Sequence, residues 1–229
     1  MELRSSTSAL DPKSERPSDF GSNGVVYTGV KQYKDYYYKN TMWHLHKDIV
    51  ERWGWCQPYT PEGCDNIIKI GTKLLSTIKP DVDDSGNIVL SKNGKSCFIP
   101  INDDTRWIFE TCSKNVIELN TKLFEYDLHY LTELQFTVYD GVGDLFPKHI
   151  DTLYESTGIR KLSFCIQLSD PTTYEGNEHL LHIDQEPTIV KNDWGHMTIY
   201  PSATLNEVTP LKRGKRYVLM GWVAGPKFK

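Results

Sequence analysis

The sequence contains no Cys-x-x-Cys pair, and its five cysteines (Cys56, Cys64, Cys97, Cys112 and Cys165) are an odd number at irregular spacing. That argues against a disulfide framework and for reduced thiols, which implies a cytoplasmic setting. Long hydrophobic runs are missing as well. The longest, near 217–225, is far too short to span a bilayer, and the first residues lack the basic-then-apolar order of a secretory leader. A surplus of positive charge is also absent: the net charge is -4 over 229 residues, with no footprint for nucleic acid. The densest basic cluster is Lys212, Arg213, Lys215 and Arg216; the first three read as a solvated turn. No internal repeat is visible. The expected partners therefore include neither nucleic acid nor a membrane.

What is present suits one domain with an extension. Hydrophobic residues make up 38% of the chain and charged residues 24%, enough apolar material to bury a core. Residues 1–23, rich in Ser, Pro and charge, read as a disordered arm. Residues 25–59 are aromatic, with Tyr36, Tyr37, Tyr38, Trp43, Trp53 and Trp55, and read mainly as packing against the flank of the fold. Thr60 as N-cap and Pro61 at the first helical position open a helix. Its apolar stripe (Cys64, Ile67, Ile68, Gly71, Leu74, Leu75, Ile78) runs up to a stop at Pro80. Residues 87–91 and 95–99 about the Asn93-Gly94 turn read as a hairpin. Ile108, Cys112, Val116, Leu119 and Leu123 predict a second helix over 104–124, capped by Asp103 or Asp104. Beyond Leu134, short strands alternate with turns.

Within that strand-rich half lies His149-Ile150-Asp151. On an extended chain the two polar side chains fall on one face, because side chains alternate with period two. They can then grip one ion, as two of the three ligands that a non-haem Fe(II) site takes from two histidines and a carboxylate. On its own the motif is weak, and a plain strand-end pair is the more common outcome.

The surroundings add to it. Trp107-Ile108-Phe109-Glu110, 134–139 ending at Tyr139, Phe146-Pro147-Lys148-His149-Ile150-Asp151 and Arg160-Lys161-Leu162-Ser163 come first. Leu168-Ser169-Asp170-Pro171, Tyr174-Glu175-Gly176, Tyr200-Pro201-Ser202 through Val208-Thr209-Pro210, Gly214-Lys215-Arg216-Tyr217 and Gly221-Trp222 follow in order. Over about 103–226 the chain resembles the prolyl-4-hydroxylase-like branch of the Fe(II)/2-oxoglutarate oxygenases, in particular its small bacterial and phage members.

The resemblance implies an α+β fold: a double-stranded β-helix, the cupin-like jelly roll, flanked by N-terminal helices. Its oxygenase domain would be 103–229 and its helical and hairpin flank 24–102. It implies His149 and Asp151 as iron ligands. Arg216 would be the partner of the distal carboxylate of 2-oxoglutarate, a task suited to a planar fork that never loses its charge. It implies Tyr139 as a second contact to that cosubstrate. The loop 170–177 would border the entrance. Fe(II), 2-oxoglutarate and O2 would be consumed in hydroxylating a C–H bond of a protein, peptide or free amino-acid substrate, with ascorbate as accompanying reductant.

One departure stands out. In the pattern resembling Pro-Ser-x-x-x-His-x-Val-x-Pro, Asn206 occupies the place of the second histidine, with both flanks intact. A neutral amide oxygen replaces an imidazole nitrogen there, so iron affinity should fall. Neighbouring Glu207 should point to the opposite face, and His179, His182 and His196 are expected to be packed or surface residues. His44-Leu45-His46 lacks an acidic third ligand. A milder departure is Asn177 beside Gly176, where relatives often have two glycines. Two functions follow from this pattern: an oxygenase with a degenerate metal triad, or an inactive binding module of the same fold that recognises a peptide or partner protein.

Overall fold

Alternation along the long strands divides the interior into two compartments. The structure, a computed structural model, describes residues 53–79, 93–153 and 158–227. The expected arm at 1–23, Tyr36 to Tyr38, Trp43, the His44/His46 pair, the first strand of the 87–99 hairpin and the stop at Pro80 lie outside the described residues. The elements in chain order are β1 (Gly54–Cys56), α1 (Pro61–Leu75), β2 (Lys95–Phe98), α2 (Arg106–Leu119), a π turn (Asn120–Phe124), β3 (Tyr130–Tyr139), β4 (Phe146–His149) and β5 (Ile159–Gln167). Then come β6 (Tyr174–Gly176), β7 (His179–His182), β8 (Thr188–Ile189), β9 (Met197–Pro201), β10 (Leu205–Val208), β11 (Leu211–Gly214) and β12 (Arg216–Gly225).

A six-stranded sheet runs β1-β9-β5-β12-β3-β2, a four-stranded sheet runs β4-β10-β7-β8, and β11 pairs with β6. All their pairings are antiparallel. This is the expected α+β double-stranded β-helix. On β12, Tyr217, Leu219 and Val223 face the helices and join Phe136 and Leu134 of β3 and Phe164 and Ile166 of β5 in the main core. The alternate residues (Arg216, Val218, Met220 and Trp222 of β12, Gln135, Thr137 and Tyr139 of β3) face the other way, into a cavity closed by the four-stranded sheet. One set of strands thus supplies a greasy core on one side and a site wall on the other.

Thr60 caps α1 as expected, its hydroxyl accepting from the Gly63 N–H at 3.3 Å, with Pro61 in the first turn. Cys64, Ile67 and Gly71 are its buried stripe. At Gly71 a Cβ would lie 2.3 Å from the Phe136 ring, so the missing side chain lets α1 lie directly on β3. The helix stops at Leu75, short of Pro80. The Ser76 and Thr77 hydroxyls, each at 2.7 Å, bond the Lys73 and Leu74 carbonyls, and the last turn tightens. Ile78 consequently leaves the stripe and is 53% exposed.

The second helix differs from expectation at both ends. Its N-cap is Thr105, not Asp103 or Asp104, and no side chain caps it. Instead Asn102 Oδ1 accepts from the Asp104 and Thr105 N–H groups at 3.0 and 3.2 Å, and the Thr105 hydroxyl turns back to the Pro100 carbonyl. At the far end, 120–124 continue as a π turn, which closes on Glu125 in the left-handed region with φ 53. Leu123 is still buried against the core through this wider turn.

Candidate active site

The cavity between the two sheets has a volume of about 290 Å³ and is lined by His149, Asp151, Asn206, Tyr139 and Arg216 together. Chain order alone did not guarantee this, since the five come from β4 and the segment after it, β10, β3 and β12. Register brings them together: Asn206 is the pairing partner of His149, and Arg216 the partner of Tyr139.

His149 closes β4 and Asp151 follows two residues later. The Asp151 and Thr152 N–H groups both donate to the Ser202 carbonyl, at 2.9 and 3.0 Å, which pins this segment to the turn after β9. The His149 Nδ1 lies 2.8 Å from the Pro147 carbonyl. A carbonyl can only accept, so Nδ1 carries a proton and Nε2 is the nitrogen turned to Asp151, 3.4 Å from its Oδ1. The other carboxylate oxygen, Oδ2, is taken by the Tyr200 hydroxyl at 3.2 Å and the Asn206 amide nitrogen at 3.3 Å. Oδ1 and Nε2 are therefore the pair open to a shared cation. Burial would by itself raise the Asp151 pKa, but the bond and charge of His149 outweigh it and hold the carboxyl below its usual range. Conversely, burial would lower His149, while Asp151 and the Pro147 carbonyl hold it above its usual value.

Arg216 is only 4% exposed. Its Nε donates to Gln167 Oε1 at 2.9 Å, its Nη1 donates to Asn177 Oδ1 at 3.1 Å, and its guanidinium sits 6.0 Å from the centre of the Tyr139 ring. Burial pushes the Tyr139 hydroxyl well up, partly offset by Arg216, so the phenol stays protonated and able to donate. Lys212, Arg213 and Lys215 are exposed, as a solvated turn should be. Of the loop 170–177, Tyr174, Gly176 and Asn177 border a smaller hollow of about 130 Å³ on the far side of Arg216. Among the lining residues of the main cavity, Ile150 and Leu153 are the most open to solvent, 53% and 47% exposed.

The other candidate donors are distributed as strand alternation dictates. Glu207 turns away from the cavity to His182 at 2.8 Å, with Lys148 at 3.7 Å. His196 stacks on Trp55 with ring centres 4.8 Å apart. His179 is packed, as expected, but on the cavity wall: it is 3% exposed, lines the cavity, and its Nδ1 has no hydrogen-bond partner. Burial and the Arg216 charge push its pKa down to about 4, which keeps it neutral. Even so, no group of three His, Cys, Asp or Glu side chains among the described residues is placed to hold one metal ion. His149 and Asp151, with the Asn206 amide beside them, are the donors that could share one ion. Tyr200, Gln167 and His179 were not assigned roles from the sequence. The inward phase of β9, β5 and β7 was the available signal, and it identifies a face rather than a partner.

Residues 134–224 match the sequence model of the 2OG-Fe(II) oxygenase superfamily. The resemblance read from the motifs is thereby borne out, and the matched segment spans β3 to β12, the strands that build the cavity. A PKHD-type hydroxylase of Prochlorococcus marinus is 43% identical over 81 residues, 35% of this chain and 37% of the relative. The match thus spans little more than a third of that relative's length. Among solved structures, the viral collagen prolyl hydroxylase of Paramecium Bursaria Chlorella virus-1, determined as its 2OG complex, has a TM-score of 0.58 at 14% identity. It covers 76% of this chain and 96% of its own. A Trichoplax adhaerens prolyl hydroxylase, in complex with a hypoxia inducible factor peptide fragment, has a TM-score of 0.60 at 14% identity, covering 76% and 83%. At those identities the likeness is one of fold.

His196 yields a prediction independent of the cavity. Burial lowers its pKa to about 4 from 6.5, with Asp193 raising it and Lys191 lowering it by smaller amounts. The folded state therefore takes up this proton less readily than the unfolded chain. Its stabilising contribution is full above pH 6.5 and is lost as pH falls towards 4. The loss is on the order of 3 kcal/mol by that linkage. Urea unfolding between pH 7 and 4 should show a steep acid limb that His196→Phe, which keeps a ring against Trp55, makes shallower. An equally steep limb in the variant would contradict the assignment.

Proposed function

We propose that this chain is an Fe(II)- and 2-oxoglutarate-dependent dioxygenase with a degenerate metal triad, hydroxylating a C–H bond of a prolyl-type protein side chain or an amino acid. One observation carries the reading: a buried, pre-aimed arginine shares a cavity with an imidazole and a carboxylate whose free atoms are 3.4 Å apart. A scaffold with no ligand gains nothing from keeping a guanidinium almost wholly buried.

In this reading His149 and Asp151 would hold the metal, and the Asn206 amide oxygen would serve as a third, neutral donor. The amide must turn over to do so, giving up its 3.3 Å bond to Asp151, which makes it a weaker ligand than histidine. When bound, Fe(II) supplies the O2 activation coupled to oxidative decarboxylation of 2-oxoglutarate, and ascorbate would keep it reduced. Arg216 receives the distal carboxylate on the edge its two protein partners leave open, and the Tyr139 hydroxyl donates to the same ligand. Val208, Val218 and Met220 line the wall between and exclude water from it. Ile150 and Leu153 flank the side from which a peptide or amino-acid side chain would enter.

The test is Fe(II)-dependent release of succinate from 2-oxoglutarate by anaerobically loaded protein on exposure to O2. Release above the metal-free control is expected. A silent loaded protein favours the second reading, a catalytically inactive module of this fold that binds a peptide or partner protein. Asn206 and the missing third strong donor support that alternative.

A further inference from the structure

Residue 177 occupies a backbone position that ordinarily selects glycine, with φ 54, directly after Gly176 at φ 77. At Gly176 a Cβ would lie 2.5 Å from the Pro210 carbonyl, so only glycine fits there. At 177 asparagine is accepted because a short amide tolerates the left-handed region. Its side chain then does something glycine cannot. It is 1% exposed, its Nδ2 donates to the Asp144 and Thr209 carbonyls, both at 3.1 Å, and its Oδ1 accepts from Arg216 Nη1 at 3.1 Å. The backbone N–H of the same residue donates to the Pro210 carbonyl at 3.1 Å. Every polar atom of the Asn177 side chain is thus committed, and the amide cannot turn over without setting its NH2 against the guanidinium.

With Gln167 fixing Nε from β5 and Asn177 fixing Nη1 from the link between β6 and β7, the plane and heading of the guanidinium are set from two sides. Neither partner engages Nη2. We propose that Asn177 is a positioning residue for Arg216, aiming its free edge at the far carboxylate of a dicarboxylate ligand. The inference rests on the assignment of Arg216 as the 2-oxoglutarate anchor. Both partners are neutral amides, so they orient the cation without cancelling its charge, which stays available to the ligand.

The experiment compares two keto acids, 2-oxoglutarate and pyruvate, titrated by calorimetry into the Mn(II)-loaded protein without O2. Pyruvate offers the same keto-acid end and lacks the far carboxylate. Asn177→Gly suits the backbone at φ 54 and should weaken 2-oxoglutarate binding about tenfold, the scale of one hydrogen bond to a charged group. It should leave pyruvate binding unchanged. If the variant fails to fold, Asn177→Asp carries the test: it keeps an oxygen for Arg216 but adds a competing negative charge, so 2-oxoglutarate should again weaken and pyruvate hold. Equal loss for both keto acids, or no loss for either, overturns the positioning role while leaving the anchor assignment intact. Failure of the unaltered protein to prefer 2-oxoglutarate over pyruvate overturns the anchor assignment, and this inference with it.

Discussion

Replacing Arg216 by alanine is expected to raise the dissociation constant for 2-oxoglutarate by at least about a hundredfold, which is about 2.7 kcal/mol. Truncating one member of a buried, hydrogen-bonded charge pair costs about 2–5 kcal/mol, much of it from the partner left without compensation. Here the ligand carboxylate would enter a pocket whose cation has gone, and Gln167 and Asn177 would lose their acceptor roles at 2.9 and 3.1 Å. Arg216→Lys should fall between the two, because an ammonium keeps the charge but cannot meet two amides and a carboxylate in one plane. Saturation curves for 2-oxoglutarate, by calorimetry or succinate release, check both variants. Indifference to either substitution would mean that Arg216 does not hold the cosubstrate.

Asn206→His should strengthen Fe(II) binding at least tenfold. Losing even an outer hydrogen-bond partner of a metal ligand costs about 10–100-fold in affinity, and an added imidazole acts on the metal directly. The position is suited to it: residue 206 is 2% exposed, lines the cavity and pairs in register with His149. Its amide nitrogen already lies 3.3 Å from the Asp151 carboxylate. The substitution removes that bond, so some stability is lost in the metal-free protein and regained on loading. Anaerobic Fe(II) titration, with thermal unfolding in parallel, reads both effects. An unchanged metal affinity would mean that residue 206 does not face the cation.

Local rules carried the sequence reading where one element decided the outcome. The Thr60-Pro61 start, the pairing of His149 with Asp151 across one intervening residue, and the outward turn of Glu207 each follow from a cap or from period-two alternation within a single segment. The reading was less complete where several strands had to meet. That Gln167, Asn177 and Tyr200 would brace Arg216 and Asp151 depends on which strands lie side by side in a sheet and which face each other across the cavity, which no spacing within one strand encodes. The second helix starts from Thr105 with no side-chain cap because the Asn102 amide closes a turn over 102–105 just before it, which displaces Asp103 and Asp104 from the N-cap position. Asn177 was visible as a departure from a glycine pair, yet its meaning required the positive φ and the nearby guanidinium. His179 was expected to be a packed or surface residue. It is packed, but the face of β7 that buries it is the cavity wall.

The central claim is that one cavity holds a cation at one end and a dicarboxylate at the other. A crystal structure of the protein with Mn(II) and 2-oxoglutarate tests it most directly through the anomalous signal of the metal. The account predicts a manganese peak bridging His149 Nε2 and Asp151 Oδ1, the Asn206 amide or a water beside it, and the far carboxylate of the ligand on the free edge of Arg216. A peak elsewhere, or a ligand carboxylate bound away from Arg216, would contradict it.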